Sequence, residues 1–253
     1  MLTIVPTPLG NLDDMTARAL AALRDADLVL CEDTRRTIKL MSHYGISKKL
    51  IRYNEHSERS LGEAAGFLRL GKKVALVSDG GTPCISDPGR RLVALARAEG
   101  LPVDTLPGPS AVITAAAGSG FPADSFVFLG FLPRSRGKVV KALKAAFTLE
   151  KTVILYESPY RIKKFLELVS AEFGPGTATV VVRELTKMHE EWLKGTAQEV
   201  LRKLEAAKEV RGEITVLLRP PEAQEEPEPQ ERREQAENEP AVGPAAGEDG
   251  FIM

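Results

Sequence analysis

Cysteine, histidine and aromatic side chains are all scarce in this chain of 253 residues, which has two cysteines, three histidines, one tryptophan and 6% aromatic residues. Cys31 and Cys84, with no secretory leader ahead of them, point to a reducing cytoplasm rather than a disulfide framework. His43, His56 and His189 share no metal-ligand spacing with each other or with the cysteines, so no metal is expected. No apolar run approaches the ~20 residues needed to span a bilayer. The segment from Met1 to Pro6 lacks the basic region and long apolar core of a signal peptide, so no membrane partner is expected. Neither GxGxxG nor GxxxxGK[ST] occurs, which removes the usual dinucleotide and nucleoside-triphosphate readings.

Net charge is also nearly absent, at −1, but the balance conceals an asymmetry. Residues 221–253 carry ten acids and two bases, leaving the first 220 residues with 32 bases, 25 acids and a net charge of +7. A basic body is compatible with an anionic partner such as nucleic acid, and equally with plain solubility. The tail is rich in Glu, Gln, Pro and Ala and has no apolar periodicity, so it is expected to be disordered. Such a tail can compete with an anionic partner for the basic body.

Short β-branched runs alternate with helical patterns along the body. Strands are predicted at Leu2–Val5, Asp27–Cys31, Leu50–Arg52, Val74–Ser78 and Val103–Leu106, with helices at Asp14–Asp25, Arg35–Tyr44, Ser60–Leu70 and Asp87–Glu99. Asp87 followed by Pro88 reads as the start signal of the last helix. After a break near Gly118–Pro122, strands are predicted at Phe126–Phe131, Thr152–Tyr156, Thr179–Arg183 and Ile214–Leu218, with helices at Lys138–Thr148, Arg161–Phe173 and Ala197–Glu209. The order of the first set predicts a mainly parallel sheet covered by helices, and the two sets together an α/β protein. Two α/β domains, residues 1–118 and 121–220, follow from the break, followed by the tail at 221–253; one continuous sheet is the alternative.

Polar and glycine-rich loops follow the strands. Val77-Ser78-Asp79-Gly80-Gly81-Thr82-Pro83 ends an apolar run with an acid and two glycines, which lets a ligand approach the backbone. Leu106-Pro107-Gly108-Pro109-Ser110-Ala111 is a second such loop, and Pro6-Thr7-Pro8-Leu9-Gly10-Asn11-Leu12 a third. Together they suggest a ligand crevice at the carboxyl ends of the strands. Glu32-Asp33-Thr34-Arg35-Arg36 offers acids and bases at another strand end, suited to a phosphate, a hydroxyl or a helix cap. Asn54-Glu55-His56, Tyr156-Glu157-Ser158 and Arg183-Glu184-Leu185-Thr186-Lys187 repeat the pattern. Cys84 has no histidine near it in sequence and is read as a small buried filler. The basic run Arg134, Arg136, Lys138, Lys141 and Lys144 suits phosphate contact or a solvated helix face.

Taken in order, these motifs, with Asp87-Pro88-Gly89, Gly130-Phe131-Leu132-Pro133-Arg134 and Gly212-Glu213, resemble the ribosomal RNA small subunit methyltransferase I family, within the tetrapyrrole methylase-like enzymes. The resemblance implies two α/β domains with a cofactor cleft between them, S-adenosylmethionine as cofactor, and a homodimer. It implies 2′-O-methylation of a cytidine ribose in the decoding region of 16S rRNA, within the small ribosomal subunit. It assigns cofactor contacts to Leu9, Gly10, Asp79, Gly81, Thr82, Ser110, Ala111 and Tyr156. For catalysis, Glu32 or Glu157 is the candidate base, and Arg35 or Lys187 the candidate cation that favours an alkoxide. A tetrapyrrole methyltransferase and a non-catalytic RNA-binding factor are the competing readings. Longer members of the family look as if they carry a further helical domain where this chain has its acidic tail.

Overall fold

The computed structural model describes residues 1–220; the expected disorder of the tail lies outside the described residues. Two five-stranded sheets form, rather than one continuous sheet. The first contains β1 (Leu2–Ile4), β2 (Leu28–Cys31), β3 (Lys49–Arg52), β4 (Val74–Leu76) and β5 (Val103–Thr105), ordered β3-β2-β4-β1-β5. Every pairing in it is parallel. Helices α1 (Ala17–Asp25), α2 (Thr34–His43), α3 (Glu58–Arg69) and α4 (Arg90–Ala98) provide the crossovers.

Strand periodicity explains why both faces are covered. Leu28 and Leu30 point to one face, where Leu2, Ile4 and Leu76 join Leu61 and Leu68 of α3 and Leu92 of α4. Val29 and Cys31 point to the other, packing with Val5, Ala75 and Val77 against Ala19 and Leu23 of α1 and Met41 of α2. A sheet buried on both faces needs continuous apolar strands, and these are what the sequence supplies. The predicted start of α4 is corrected. The helix begins at Arg90, with Gly89 at its N-cap position, because Asp87 lies in a bend and Pro88 in a turn of the strap that leads to it.

Helix α5 (Ala111–Ser119) follows β5. The second sheet contains β6 (Phe126–Phe131), β7 (Thr152–Glu157), β8 (Ala178–Arg183), β9 (Glu191–Thr196) and β10 (Ile214–Arg219), ordered β6-β7-β10-β8-β9. Only β6 and β7 pair in parallel; the other three pairings are antiparallel. The sequence also concealed β9. Its residues, Glu-Trp-Leu-Lys-Gly-Thr, mix the strand formers Trp192 and Thr196 with Glu191, Lys194 and Gly195, which strands disfavour, and the short connection from β8 makes an antiparallel partner of them.

Helices α6 (Arg136–Phe147), α7 (Ile162–Phe173) and α8 (Ala197–Ala206) cover one face of this sheet through Leu143, Leu166 and Leu201. The opposite face is covered by α5, whose Val112, Ala115 and Ala116 meet Ile154, Val180, Val182 and Leu217. Thus a helix that follows the last strand of the first sheet packs upon the second. Leu217→Ala is expected to destabilise the protein by about 2–5 kcal/mol. Leu149→Ala, at a site 56% exposed, is expected to cost under about 0.5 kcal/mol, both read from urea unfolding midpoints.

Candidate active site

Three loops leave the carboxyl ends of β4, β1 and β5, and hydrogen bonds from backbone and side chain lock them together. Thr7 and Gly81 exchange a pair of bonds, Thr7 N–H to Gly81 O at 2.9 Å and Gly81 N–H to Thr7 O at 2.8 Å. The Thr82 hydroxyl donates to Pro109 O at 2.9 Å, joining the third loop. Gly81 holds φ at 86°, where a side chain is strained, and a Cβ there would stand 3.1 Å from Leu9 Cδ2.

These loops form one wall of a cavity of about 500 Å³ between the two sheets. Leu9, Asp79, Gly81, Thr82, Ser110 and Ala111 line it, as do Tyr156, Glu157 and Lys187 from the opposite half. All nine were singled out in the sequence. Gly10 does not line it; the Lys187 side chain lies across Gly10 so closely that a Cβ there would overlap Lys187 Cγ. Glu32 and Arg35 also lie outside the lining. Arg35 is tied back to Asp33, its Nη2 3.1 Å from Oδ2, and that pair holds the Asp33 carboxyl at about 2. Its neighbour Arg36 lines the cavity instead, 3.5 Å from Asp79 Oδ2. The basic run from Arg134 to Lys144 is exposed and away from the cavity, with Arg136 paired to Glu172 at 2.7 Å.

The carboxylates differ in environment. Glu157 is turned into the protein, its side chain 1% exposed, accepting from Ser158 N–H at 2.7 Å with Arg161 at 3.2 Å. Burial raises its pKa, and the Ser158 N–H and Arg161 oppose that rise. Lys187 is held by Glu184 at 2.8 Å and Glu213 at 3.0 Å. Burial would lower its pKa, but these two acids outweigh burial and keep it charged.

Sequence reading missed Asp87. It lines the cavity, half-buried, with its pKa raised from 3.8 to about 6. Burial is the main cause, followed by Glu32; Asp79 and Glu213 add to it, and a hydrogen bond from Ser78 opposes it. The strap that carries Asp87 is strained, with φ at 71° for Cys84 and 64° for Ser86. Ser86 closes on the second sheet, its Oγ 3.0 Å from where a Cβ at Gly130 would be. Burial pushes the Cys84 thiol up to about 11, so it remains a protonated filler. Burial, with Asp87 and Glu213, likewise raises Tyr156 to about 12.

A family model described as Tetrapyrrole (Corrin/Porphyrin) Methylases matches residues 1–201. The chain is 45% identical to ribosomal RNA small subunit methyltransferase I of Thermotoga maritima over 220 residues, 86% of this chain and 97% of that protein. It is 42% identical to the protein of that name from Escherichia coli O157:H7 over 228 residues, 89% of this chain and 79% of that one. Among solved structures, the methyltransferase CobJ superposes with a TM-score of 0.66 at 20% identity, covering 87% of this chain and 94% of that one. Uroporphyrin-III C-methyl transferase from Thermus thermophilus, complexed with S-adenyl homocysteine, gives a TM-score of 0.59 at 17% identity, covering 85% of this chain and 96% of that one. Identities this low carry the fold and nothing more.

Ionising Asp87 is harder in the folded protein than in the unfolded chain. Stability therefore falls as pH rises from about 4 through about 6, and the loss is complete above that range. Asp87→Asn is expected to raise the Tm relative to the parent protein at pH 7.5, with the gain vanishing at pH 4. Thermal unfolding across that range checks it, and a gain that persists at pH 4 removes the assignment.

Proposed function

Because the chain belongs to the ribosomal RNA small subunit methyltransferase I family, we propose that it uses S-adenosylmethionine to methylate the ribose 2′-hydroxyl of a cytidine in the decoding region of 16S rRNA, within the small ribosomal subunit. The observation that carries this reading is Asp87: a carboxyl poised near neutrality, lining the cavity formed by the strand-end loops. A base with its pKa near the working pH is what a reluctant ribose hydroxyl requires.

The residues present fit the cofactor. The glycine turn at Gly80 and Gly81 leaves the backbone open, and Leu9, Ala111, Val182 and Leu185 provide apolar wall while the acids suit a cationic ligand. Leu9, Asp79, Gly81, Thr82, Ser110 and Ala111 would hold it from the loop wall, and Tyr156 from the opposite half. Gly10 acts at one remove, by making room for Lys187. When bound, S-adenosylmethionine supplies an electrophilic methyl group on a sulfonium sulfur.

The chain's own residues then have four tasks. Asp87 accepts the proton of the nucleophilic hydroxyl at a carboxylate oxygen. Glu32 lifts the pKa of Asp87 without lining the cavity. Lys187, charged and fixed by Glu184 and Glu213, favours the developing alkoxide. Glu157, locked by Ser158 and Arg161, shapes the wall, and Arg35 pairs with Asp33, which caps α2 by accepting the Arg35 N–H. Alignment of the hydroxyl with the methyl group supplies up to ~7–11 kcal/mol of the barrier reduction in favourable cases. The reading includes the homodimer that the family resemblance implies. The aligned body spans 97% of the Thermotoga protein, which supports its acting without a further helical domain.

Labelled S-adenosylmethionine is offered with undermodified small subunits, with naked rRNA, and with a tetrapyrrole precursor. Label on one cytidine ribose in the subunits is expected; label on the tetrapyrrole alone overturns the reading. Asp87→Asn is expected to lower kcat by about 10²–10⁴-fold. In the parent protein kcat/KM should fall as pH drops below about 6, where Asp87 is protonated; a rate that is flat to pH 5 removes Asp87 as the base.

A further inference from the structure

A second cavity, of about 270 Å³, lies on the other side of the Pro6–Leu12 loop, and the chemistry above does not use it. The loop is a partition. Leu9 faces the main cavity, whereas Pro8 and Gly10 face the smaller one. Helix α2 closes the far side with Arg36, Lys39 and Leu40, and Ser78 and Asp79 form its floor.

Arg36 and Asp79 line both cavities. Asp79 is fixed there from two sides: Asp33 N–H donates to Oδ1 at 3.3 Å, and Arg36 Nη1 stands 3.5 Å from Oδ2. The two spaces therefore meet at one held ion pair. On the main-cavity side of it is Asp87, whose ionisation Asp79 opposes.

The walls of the smaller cavity have two characters. Pro8, Leu12 and Leu40 make an apolar slot. Arg36 and Lys39 give it cations; Asp79 offsets one, so Lys39 leaves an excess of positive charge. An apolar slot beside cations is what a single extruded nucleotide needs, a surface for the base and charge for the phosphate. At about half the volume of the main cavity, the slot is scaled to one nucleotide rather than to a second cofactor.

We infer that the smaller cavity receives the target nucleotide: Lys39 and Arg36 take its phosphodiester, the Pro8–Leu12–Leu40 wall takes its base, and its ribose lies at the Arg36–Asp79 pair beside the methyl-donor cavity. This rests on the reading of the main cavity as a site of methyl transfer to RNA. The small subunit then contacts α2 and the Pro6–Leu12 loop, and the basic run from Arg134 to Lys144 need not contact the reacting nucleotide.

The test uses the full chain with Lys39→Glu, and Lys72→Glu as a control at an exposed lysine outside the cavity lining. Steady-state methyl transfer to undermodified small subunits is measured between low and moderate salt, and S-adenosylhomocysteine binding by calorimetry. Lys39→Glu is expected to raise KM for subunits about tenfold and to reduce the slope of log KM against log salt by about 1. It should leave kcat and the S-adenosylhomocysteine Kd within about twofold; Lys72→Glu should change none of these. Amide resonances of Thr37, Lys39 and Leu40 should shift on adding cytidine 5′-monophosphate in the presence of S-adenosylhomocysteine. If the parent protein methylates subunits but Lys39→Glu matches Lys72→Glu, this subsite is wrong and the reaction stands. If the parent protein binds S-adenosylhomocysteine and methylates no RNA, the reaction falls and takes the subsite with it.

Discussion

Everything at this site depends on how closely the two halves approach at Gly10. The aliphatic stem of Lys187 lies where any side chain at residue 10 would be, and its ammonium is captured by Glu184 and Glu213. One lysine thus touches the loop after β1 with its stem and its own half with its charge. A stem packed on backbone while the charged end stays paired is an economical way to hold a cleft at fixed width. Had residue 10 carried a methyl group, either the lysine or the loop would move, and the partition between the two cavities would move with it.

The acids in the cleft show how environment sorts like groups into different jobs. Asp79 is held by an N–H and a guanidinium, Glu213 by an ammonium, and Glu157 by an N–H and a guanidinium deep in the wall. Asp87 is half-buried, which is the main cost of charging it, and Glu32, Asp79 and Glu213 add to that cost. It therefore resists ionisation, and the strained strap between Thr82 and Gly89 keeps it there. Strain and an unfavourable carboxylate in the same segment are the marks of a site selected for chemistry at the expense of stability.

The strand-end loops were readable because their code is local. An apolar run ending in Asp79-Gly80-Gly81 announces both a buried strand and a backbone left bare, and nine of the residues marked by these motifs and by the family resemblance line the cavity. What escaped depends on distant partners. Asp87 beside Pro88 reads as a helix start; only its partial burial in the cleft, close to Glu32 and Glu213 that are remote in sequence, reveals the carboxyl as perturbed. Arg35 and Arg36 are indistinguishable as letters, yet successive helical positions point in different directions, so one is tied back to the capping Asp33 and the other reaches the cleft. Strand β9 was hidden because its conformation comes from pairing with β8 rather than from its own residues.

The path of α5 has a practical corollary. The glycine-rich break at Gly118–Pro122 looks like the natural place to sever the molecule, but α5 lies ahead of it and covers Ile154, Val180, Val182 and Leu217 of the second sheet. A fragment starting at the break would present that apolar face bare to solvent and aggregate, while the complementary fragment would carry a helix with nothing to sit on. A nick that leaves both pieces folded must fall before α5, in the Pro107–Pro109 loop, where the Thr82 hydroxyl bond to Pro109 would still hold the severed end in place.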